Sequence, residues 1–242
     1  MKIDKIVFIT GGDKGIGKAI VEKMSDQYRM VIFTYNTNSA GAEDLISKYD
    51  NVCCYKCDLK SREQAIEVST NVKAKFGQID ILVNNAGFDS DAIFTKMEEY
   101  QWDDVLDVNL RAIYNFTNSF LPSMIRDKWG RIINITSIAG FTGAFGKSNY
   151  AAAKAGVVGF TKSLAIELGR KGITVNAIAP GAIVTDMLLR IPEKYRLKIL
   201  EDIPVGRFGD VDEVANLVGF LISDLASYIT GQTIHINGGS YL

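Results

Sequence analysis

Three side chains in the middle of the chain, Ser137, Tyr150 and Lys154, have types and spacing suited to the chemistry of a carbonyl group. Tyr150-Ala-Ala-Ala-Lys154 opens a strongly helical, small-residue segment running to about Gly169, so Tyr150 and Lys154 stack on one helix face. A free tyrosine titrates near ~10, and bringing it to ~7 requires about 4 kcal/mol of preference for the phenolate. An ammonium at ~4 Å supplies roughly that much at an effective dielectric near ~20. Lys154 could therefore make Tyr150 a usable acid near neutral pH. Ser137 could hold a carbonyl oxygen in place while Tyr150 protonates it and a hydride arrives at the carbon. The plain alternative is an ordinary i,i+4 pair on a helix surface, with Ser137 capping a loop.

The elements that must position these groups can be read from the pattern. Arg131-Ile132-Ile133-Asn134-Ile135 is apolar and β-branched, the signature of a buried strand. Ser137 lies just beyond its carboxyl end, the edge at which open α/β sheets bind ligands. A Gly-containing loop, Gly140 to Gly146, then leads into the Tyr150 helix. Near the start, the apolar run Lys5-Ile6-Val7-Phe8-Ile9 is followed by Thr10-Gly11-Gly12-Asp13-Lys14-Gly15-Ile16-Gly17, and helical spacing runs from Lys18 to Gln27. Strand, glycine turn and helix together make a phosphate site, because glycines admit close backbone approach and the helix offers free N–H groups. The spacing is Gly-x-x-x-Gly-x-Gly rather than the commoner Gly-x-Gly-x-x-Gly, so alone it leaves an ordinary tight turn open. A phosphate-loop tail at Gly146-Lys147-Ser148 fails, since its required first glycine is Phe141.

The second strand, Met30-Val31-Ile32-Phe33-Thr34, should end at an adenosine ribose. An NAD site usually places a carboxylate there. Here Tyr35-Asn36-Thr37-Asn38-Ser39 follows, with no acidic residue before Glu43. A 2′-phosphate is therefore tolerated and Lys14 could pair with it, which favours NADP(H), whereas the charge of Asp13 acts against it.

Further helical patterns cover residues 41–49 and 62–76 around a third strand ending at Asp58. A fourth strand, 79–83, runs into Asn84-Asn85-Ala86-Gly87, and residues 98–127 read as helical sequence carrying Asn109. A sixth strand, 173–178, ends near Pro180-Gly181, residues 181–204 are the least regular stretch, and a helix over 212–223 and a strand over 232–236 close the chain. The irregular stretch would lie over the carboxyl edge as a mobile lid. Strand and helix alternate throughout with no repeat or linker. The pattern predicts one domain over residues 1–242: an α/β, doubly wound Rossmann-type parallel sheet of about seven strands with helices on both faces.

With 242 residues, 47% hydrophobic and 23% charged, the chain can bury a substantial core. A net charge of -1 without runs of like charge argues against nucleic acid, and no apolar stretch reaches membrane-spanning length. Met1 to Lys5 leads directly into a strand pattern and lacks a signal-peptide core, so a cytoplasmic location is expected. Cys54-Tyr-Lys-Cys57 spells Cys-x-x-Cys, but it lies in a strand-like run that puts Cys53 and Cys57 on one face and Cys54 on the other. The lone His235 cannot complete a zinc site, so neither metal nor redox use is expected.

Taken together, the motifs resemble the short-chain dehydrogenases/reductases. Thr10-Gly11-x-x-x-Gly15-Ile16-Gly17, Asn84-Asn85-Ala86-Gly87, Asn109, Ser137, Tyr150-x-x-x-Lys154 and Pro180-Gly181 stand in family order over essentially the whole chain. Within the family, Asn149 to Gly156, Gly172 to Asn176 and Tyr228 to Gly239 are similar to bacterial 3-oxoacyl-(acyl-carrier-protein) reductases. Trp129-Gly130-Arg131-Ile132 and Phe145-Gly146 are shared with acetoacetyl-CoA reductases of polyester synthesis.

The resemblance implies Tyr150 as general acid, Lys154 lowering its pKa and holding the nicotinamide ribose, and Ser137 orienting the carbonyl. Asn109 would hold a helix kink and a proton-passing water. Gly11, Gly15, Ile16 and Gly17 would surround the pyrophosphate, Asp58 would face the adenine, Asn85 and Gly87 would line the groove, and Thr185 would bond the cofactor near its carboxamide. Asp13, Lys14, Asn36, Leu59, Ala86, Pro180, Gly181 and Ile183 complete the cofactor side. For Asp58 and Asn109 a capping role, and for Thr185 a turn role, are the plain alternatives. Asp13-Lys14 departs from the Ser-Arg more often found there.

The implied activity is NADPH-dependent reduction of a 3-oxoacyl thioester, on acyl carrier protein or CoA, to the (3R)-3-hydroxyacyl thioester. A dehydrogenase for another alcohol or ketone and a non-catalytic dinucleotide sensor are the alternatives, and intact Ser137, Tyr150 and Lys154 count against the sensor. Family members also form tetramers through the Tyr150 helix and the preceding one. In this chain Ala151, Ala152, Ala155, Gly156 and Gly159 offer small residues for close helix approach. Lys128 and Lys171 occupy the positions of the family's carrier-docking arginines and are expected beside the cleft.

Overall fold

In the computed structural model, which describes residues 2–242, the first half of the chain alternates strand and helix: β1 (Ile3–Ile9), α1 (Gly15–Gln27), β2 (Tyr28–Tyr35), α2 (Ser39–Lys48), β3 (Val52–Lys56), α3 (Arg62–Phe76), β4 (Ile81–Asn84), α4 (Glu99–Leu106) and α5 (Ala112–Asp127). The second half continues with β5 (Gly130–Ile135), α6 (Ala139–Thr142), α7 (Ser148–Leu168), β6 (Ile173–Pro180), α8 (Asp186–Leu189), α9 (Glu193–Glu201), α10 (Val211–Ile222) and β7 (Thr233–Ile236). All seven strands pair in parallel in the order β3-β2-β1-β4-β5-β6-β7. The order reverses between β1 and β4, and the crevice at their carboxyl ends is where such sheets take ligands.

The strands are near-continuous apolar runs because both faces are covered. Successive residues feed two separate cores. Val7, Ile9, Val31 and Phe33 pack under α1, α2 and α10. Ile6, Phe8, Ile32 and Leu82 pack under α3, α5 and α7. In the second core Phe8 meets Phe116 and Phe120 of α5 at centroid distances of 5.1 and 4.8 Å, fixing α5 on the sheet centre. Local caps mark several helix starts: the Ser61 side chain accepts from Gln64 N, and Asp210 with Glu213 forms a capping box.

Three departures from the sequence pattern have physical causes. The stretch expected as one helix over 98–127 is interrupted by a π-turn at Asp107–Arg111, where the amide of Ala112 bonds the Asp107 carbonyl five residues back. The buried Asn109 side chain donates to the Val105 carbonyl at 2.8 Å, inserting itself into the helix ladder. The stretch 181–204 contains two short helices, α8 and α9, of whose residues only Leu188 is buried, so neither shows an amphipathic repeat. Gly156 is committed within the chain, because a Cβ there would lie 3.0 Å from Leu110 Cδ2 of the π-turn.

Cys54 and Cys57 face opposite cores, and burial, with Asp58 and Glu67, pushes the Cys57 thiol up to about 12, well away from reactive thiolate character. Among the described residues no helix is long and apolar enough to cross a membrane. Phe8→Ala should cost about 3–5 kcal/mol of unfolding free energy. Urea denaturation checks this, and a loss under about 1 kcal/mol would contradict the central role given to the Phe8, Phe116 and Phe120 contact.

Candidate active site

The glycine turn after β1 is bolted to the end of β4. Thr10 Oγ1 accepts from the amides of Asn85 and Ala86, both at 3.0 Å, and Asn85 Nδ2 donates to the carbonyls of Thr10 and Gly11 at 3.0 and 2.9 Å. A Cβ at Gly17 would come within 1.8 Å of the Gly11 carbonyl oxygen, so only glycine lets α1 start this close to the turn. α1 begins without a side-chain cap and without an acidic residue in its first turn. Its free amino-end N–H groups thus fit an anionic diphosphate. Thr185 stands across from this turn, its Cγ2 being 3.4 Å from where a Gly15 Cβ would be.

Along the sheet edge, α7 is held at several points. Thr136 Oγ1 donates to the Lys154 carbonyl at 2.7 Å, and Lys154 Nζ donates to the Ile135 carbonyl at 2.9 Å. One layer below, Asn84 Nδ2 donates to Asn134 Oδ1 and Asn134 Nδ2 to Thr161 Oγ1, at 2.8 and 2.9 Å, a buried chain that ties β4, β5 and α7 together. At the helix start, Asn149 Nδ2 donates to the Ser90 and Gln101 carbonyls at 3.0 and 2.9 Å, and its Oδ1 accepts from Tyr150 N. These bonds fix where Tyr150 points. Gly87 adjoins both Asn109 Oδ1 and Lys154 Nζ, at 3.4 and 3.8 Å from the position of its missing Cβ.

The electrostatics differ from the simple lysine–phenol pair. Lys154 is 2% exposed, and burial lowers its pKa to about 8. Its ammonium lies 5.5 Å from the centre of the Tyr150 ring, over the face. Burial pushes the Tyr150 phenol up to about 12, with the neighbouring Ser137 hydroxyl pulling the other way and Asp89 and Asp91 adding to the rise. The expected lowering of Tyr150 by Lys154 is therefore not realised in the chain alone. Dehydration of both groups outweighs their attraction, and the phenol is held as a neutral acid.

The structure brings Ser137, Tyr150, Lys154, Asn109 and Gly87 to one place, and it gathers Gly11, Gly15, Asn85, Ala86 and Thr185 beside them. Pro180 and Gly181 end β6 next to the Ser137 loop, whose Ile138 amide bonds the Pro180 carbonyl. The side chains of Leu59 and Ile183 are buried in the two cores, so these residues face a groove only through their backbones. Asp58 Oδ1 accepts from Lys60 N at 3.1 Å, so its carboxylate does close a turn. Lys14 and Asn36 are exposed, while Asp13 is buried, with its carbonyl accepting from Asn38 Nδ2. Lys128 and Lys171 precede β5 and β6, at the amino edge of the sheet and about a strand length, roughly 20 Å, from Ser137, not beside the cleft. Thr10 stood in the glycine motif with no role assigned, and Thr136 and the positioning role of Asn149 carried no signal beyond their adjacency to the motifs.

A switch-point crevice with an uncapped helix end, adjoined by a proton donor and a buried lysine, suits dinucleotide-dependent redox chemistry at a carbonyl. Residues 11–241 match the family model described as enoyl-(acyl carrier protein) reductase, and the chain belongs to the short-chain dehydrogenase/reductase family, which implies a nicotinamide dinucleotide as cofactor. It is 45% identical over 241 residues to the 3-oxoacyl-(acyl-carrier-protein) reductase FabG of Aquifex aeolicus, covering 98% of this chain and 97% of that one. Its identity to the enzyme of the same name from Haemophilus influenzae is 45% over 240 residues, with 98% of each covered. With that from Staphylococcus aureus it is 40% over 246 residues, covering both in full.

In the cofactor-free protein, Lys154 should titrate near about 8. A 13C signal of its Cε, assigned with Lys154→Arg, reads this directly, and a midpoint above about 10, the ordinary lysine range, would contradict the burial argument.

Proposed function

We propose that this chain reduces 3-oxoacyl thioesters to (3R)-3-hydroxyacyl thioesters with NADPH, as a single domain over residues 1–242 in which residues 181–204 form the lid. The convergence of Ser137, Tyr150 and Lys154 at the carboxyl edge carries the reading, and the full-length likeness to 3-oxoacyl-(acyl-carrier-protein) reductases supplies the substrate class. When bound, the reduced nicotinamide supplies the hydride.

The chain's own residues do the rest. Ser137 Oγ holds the substrate oxygen, Tyr150 gives that oxygen its phenolic proton as the C–O double bond becomes a single bond, and the phenolate recovers a proton from solvent. The Lys154 ammonium stabilises the transient phenolate across the ring. Because the transfer needs charged Lys154, kcat/KM for NADPH, which reports the cofactor-free enzyme, falls as pH rises through about 8. NADPH over NADH is supported by the absence of a carboxylate after β2 and by the exposed Lys14, with Asp13 tucked inside.

A homotetramer in the cytoplasm is part of the same reading. Ala152, Ala155 and Gly159 leave an exposed stripe on α7, continued by the highly exposed Ile166, which suits close approach of a second copy. A carrier protein docked on Lys128 and Lys171 would have to serve the cleft of another copy, since its own is about a strand length away. CoA thioesters need no such arrangement and are the second reading.

Tyr150→Phe should lower kcat at least about 10²-fold in an NADPH-oxidation assay with acetoacetyl-CoA, with dinucleotide binding kept. Near-full turnover would remove Tyr150 as the acid. Lys128→Glu/Lys171→Glu should selectively weaken kcat/KM for the carrier-protein thioester at low salt. Equal effects on matched CoA and carrier thioesters would favour the CoA reading.

A further inference from the structure

A chain of four charged side chains of alternating sign, Arg190, Asp89, Lys147 and Asp91, reaches Tyr150 through Lys147. Lys147 Nζ lies 3.0 Å from the carboxylate of Asp89 and 2.7 Å from that of Asp91. Arg190, at the end of α8 in the lid segment, approaches the other oxygen of Asp89 at 3.7 Å. The lysine that fails as part of a phosphate loop is thus the N-cap residue of α7, one turn before Tyr150, with its ammonium 5.7 Å from the ring centre. Lys154 is one turn after, with its ammonium 5.5 Å from the same ring centre. The Lys147 and Asp89 side chains are only 23% and 16% exposed, which distinguishes this pair from a solvated surface bridge. The segments that carry them are joined by the Ala92 amide bonding the Gly146 carbonyl at 2.9 Å and by Asn149.

We propose that Lys147 is a positioning residue for proton transfer: it neutralises Asp89 and Asp91 beside the phenol so that Tyr150 can release its proton, and through Asp89 it links that balance to Arg190 of the lid. The proposal rests on Tyr150 as the proton donor. The groups facing the phenol are Asp89 and Asp91 from the segment after β4, Lys147 and Lys154 on its own helix, and Ser137 from the end of β5, with Arg190 reaching Asp89 from α8. Burial would pull Lys147 down, yet its bonds to Asp91 and Asp89 hold it above the ordinary lysine value, so it stays charged over the working range. Without that cation, two unneutralised carboxylates oppose formation of the phenolate, and proton release becomes harder.

The test uses the reverse reaction, oxidation of 3-hydroxybutyryl-CoA by NADP+. There the phenolate takes the hydroxyl proton while the hydride leaves to the cofactor, so kcat/KM rises with pH as the phenol ionises. Lys147→Gln should move that limb to higher pH by at least about half a pH unit and lower kcat roughly 10-fold with dinucleotide affinity unchanged. Asp91→Asn should move the limb to lower pH. Lys147→Arg should restore most of the wild-type profile, and Arg190→Gln should act like a weaker Lys147→Gln that disappears in an Asp89→Asn background. Opposite directions for the lysine and aspartate variants cannot come from general loosening, and Lys147→Met takes the place of Lys147→Gln in this comparison if the latter fails to fold. A Lys147→Gln profile that overlays wild type, or lysine and aspartate variants that shift the limb the same way, would overturn the proposal. Tyr150→Phe separates the two readings: if it stays active, the proton donor is wrong whatever the limb does.

Discussion

An ammonium held inside the protein is the constraint around which this site is built. Lys154 is almost fully buried, and its one protein acceptor at hydrogen-bond distance is the Ile135 carbonyl. An ammonium has three donors, so two remain for ligand oxygens at the mouth of the crevice. Keeping the group there requires a strand whose last carbonyl is free to accept and an aromatic face alongside. It also requires a helix that cannot slide, and the Thr136 and Asn134 bonds to α7 supply that. Each element of the carboxyl edge is placed by this requirement or by the glycine turn bolted to β4.

The same logic explains why the helix before the site is broken. Asn109 is fully buried, and its amide bonds the carbonyls of both Phe88 and Val105, at 2.7 and 2.8 Å. To reach the segment that follows Gly87 it must leave the regular ladder, and the π-turn absorbs the extra residue. A straight helix from 99 to 127 would satisfy its own backbone better and would leave the loop beside Lys154 unsupported. Local irregularity is accepted here because it is repaid by contacts to the site.

The legible part of the fold was the part that depends on burial. Strands buried on both faces read as apolar runs, and α3 was readable to the residue because Ser61 caps it and Gly77 ends it with positive φ. β2 begins two residues before its apolar run because α1 passes into it without a loop, and Tyr28-Arg29 gave no hint of that. Ser137, Tyr150 and Lys154 were visible because their spacing encodes one chemistry. The charge environment was not, because Asp89 and Asp91 are brought to Lys147 and Tyr150, and Arg190 to Asp89, by contacts between segments that share no periodicity. The phenol's upward shift followed from depth of burial, which a pairwise Coulomb argument omits.

Burial of these groups also makes the site a liability to the fold, with a sign that depends on pH. Lys154 titrates near 8 in the folded chain and near 10.5 when unfolded, so the unfolded chain binds more protons between those values. Stability therefore rises with pH across that window, and below it the full penalty of a dehydrated ammonium is present. Tyr150 works in the opposite sense: raised from 10 to about 12, it favours the folded state's neutral phenol, and stability falls as pH rises through that range. Near neutral pH only the lysine penalty operates. Ligand oxygens that satisfied the two spare ammonium donors would relieve it. On the proposed function, a destabilised lysine is the state from which binding and proton transfer would both gain.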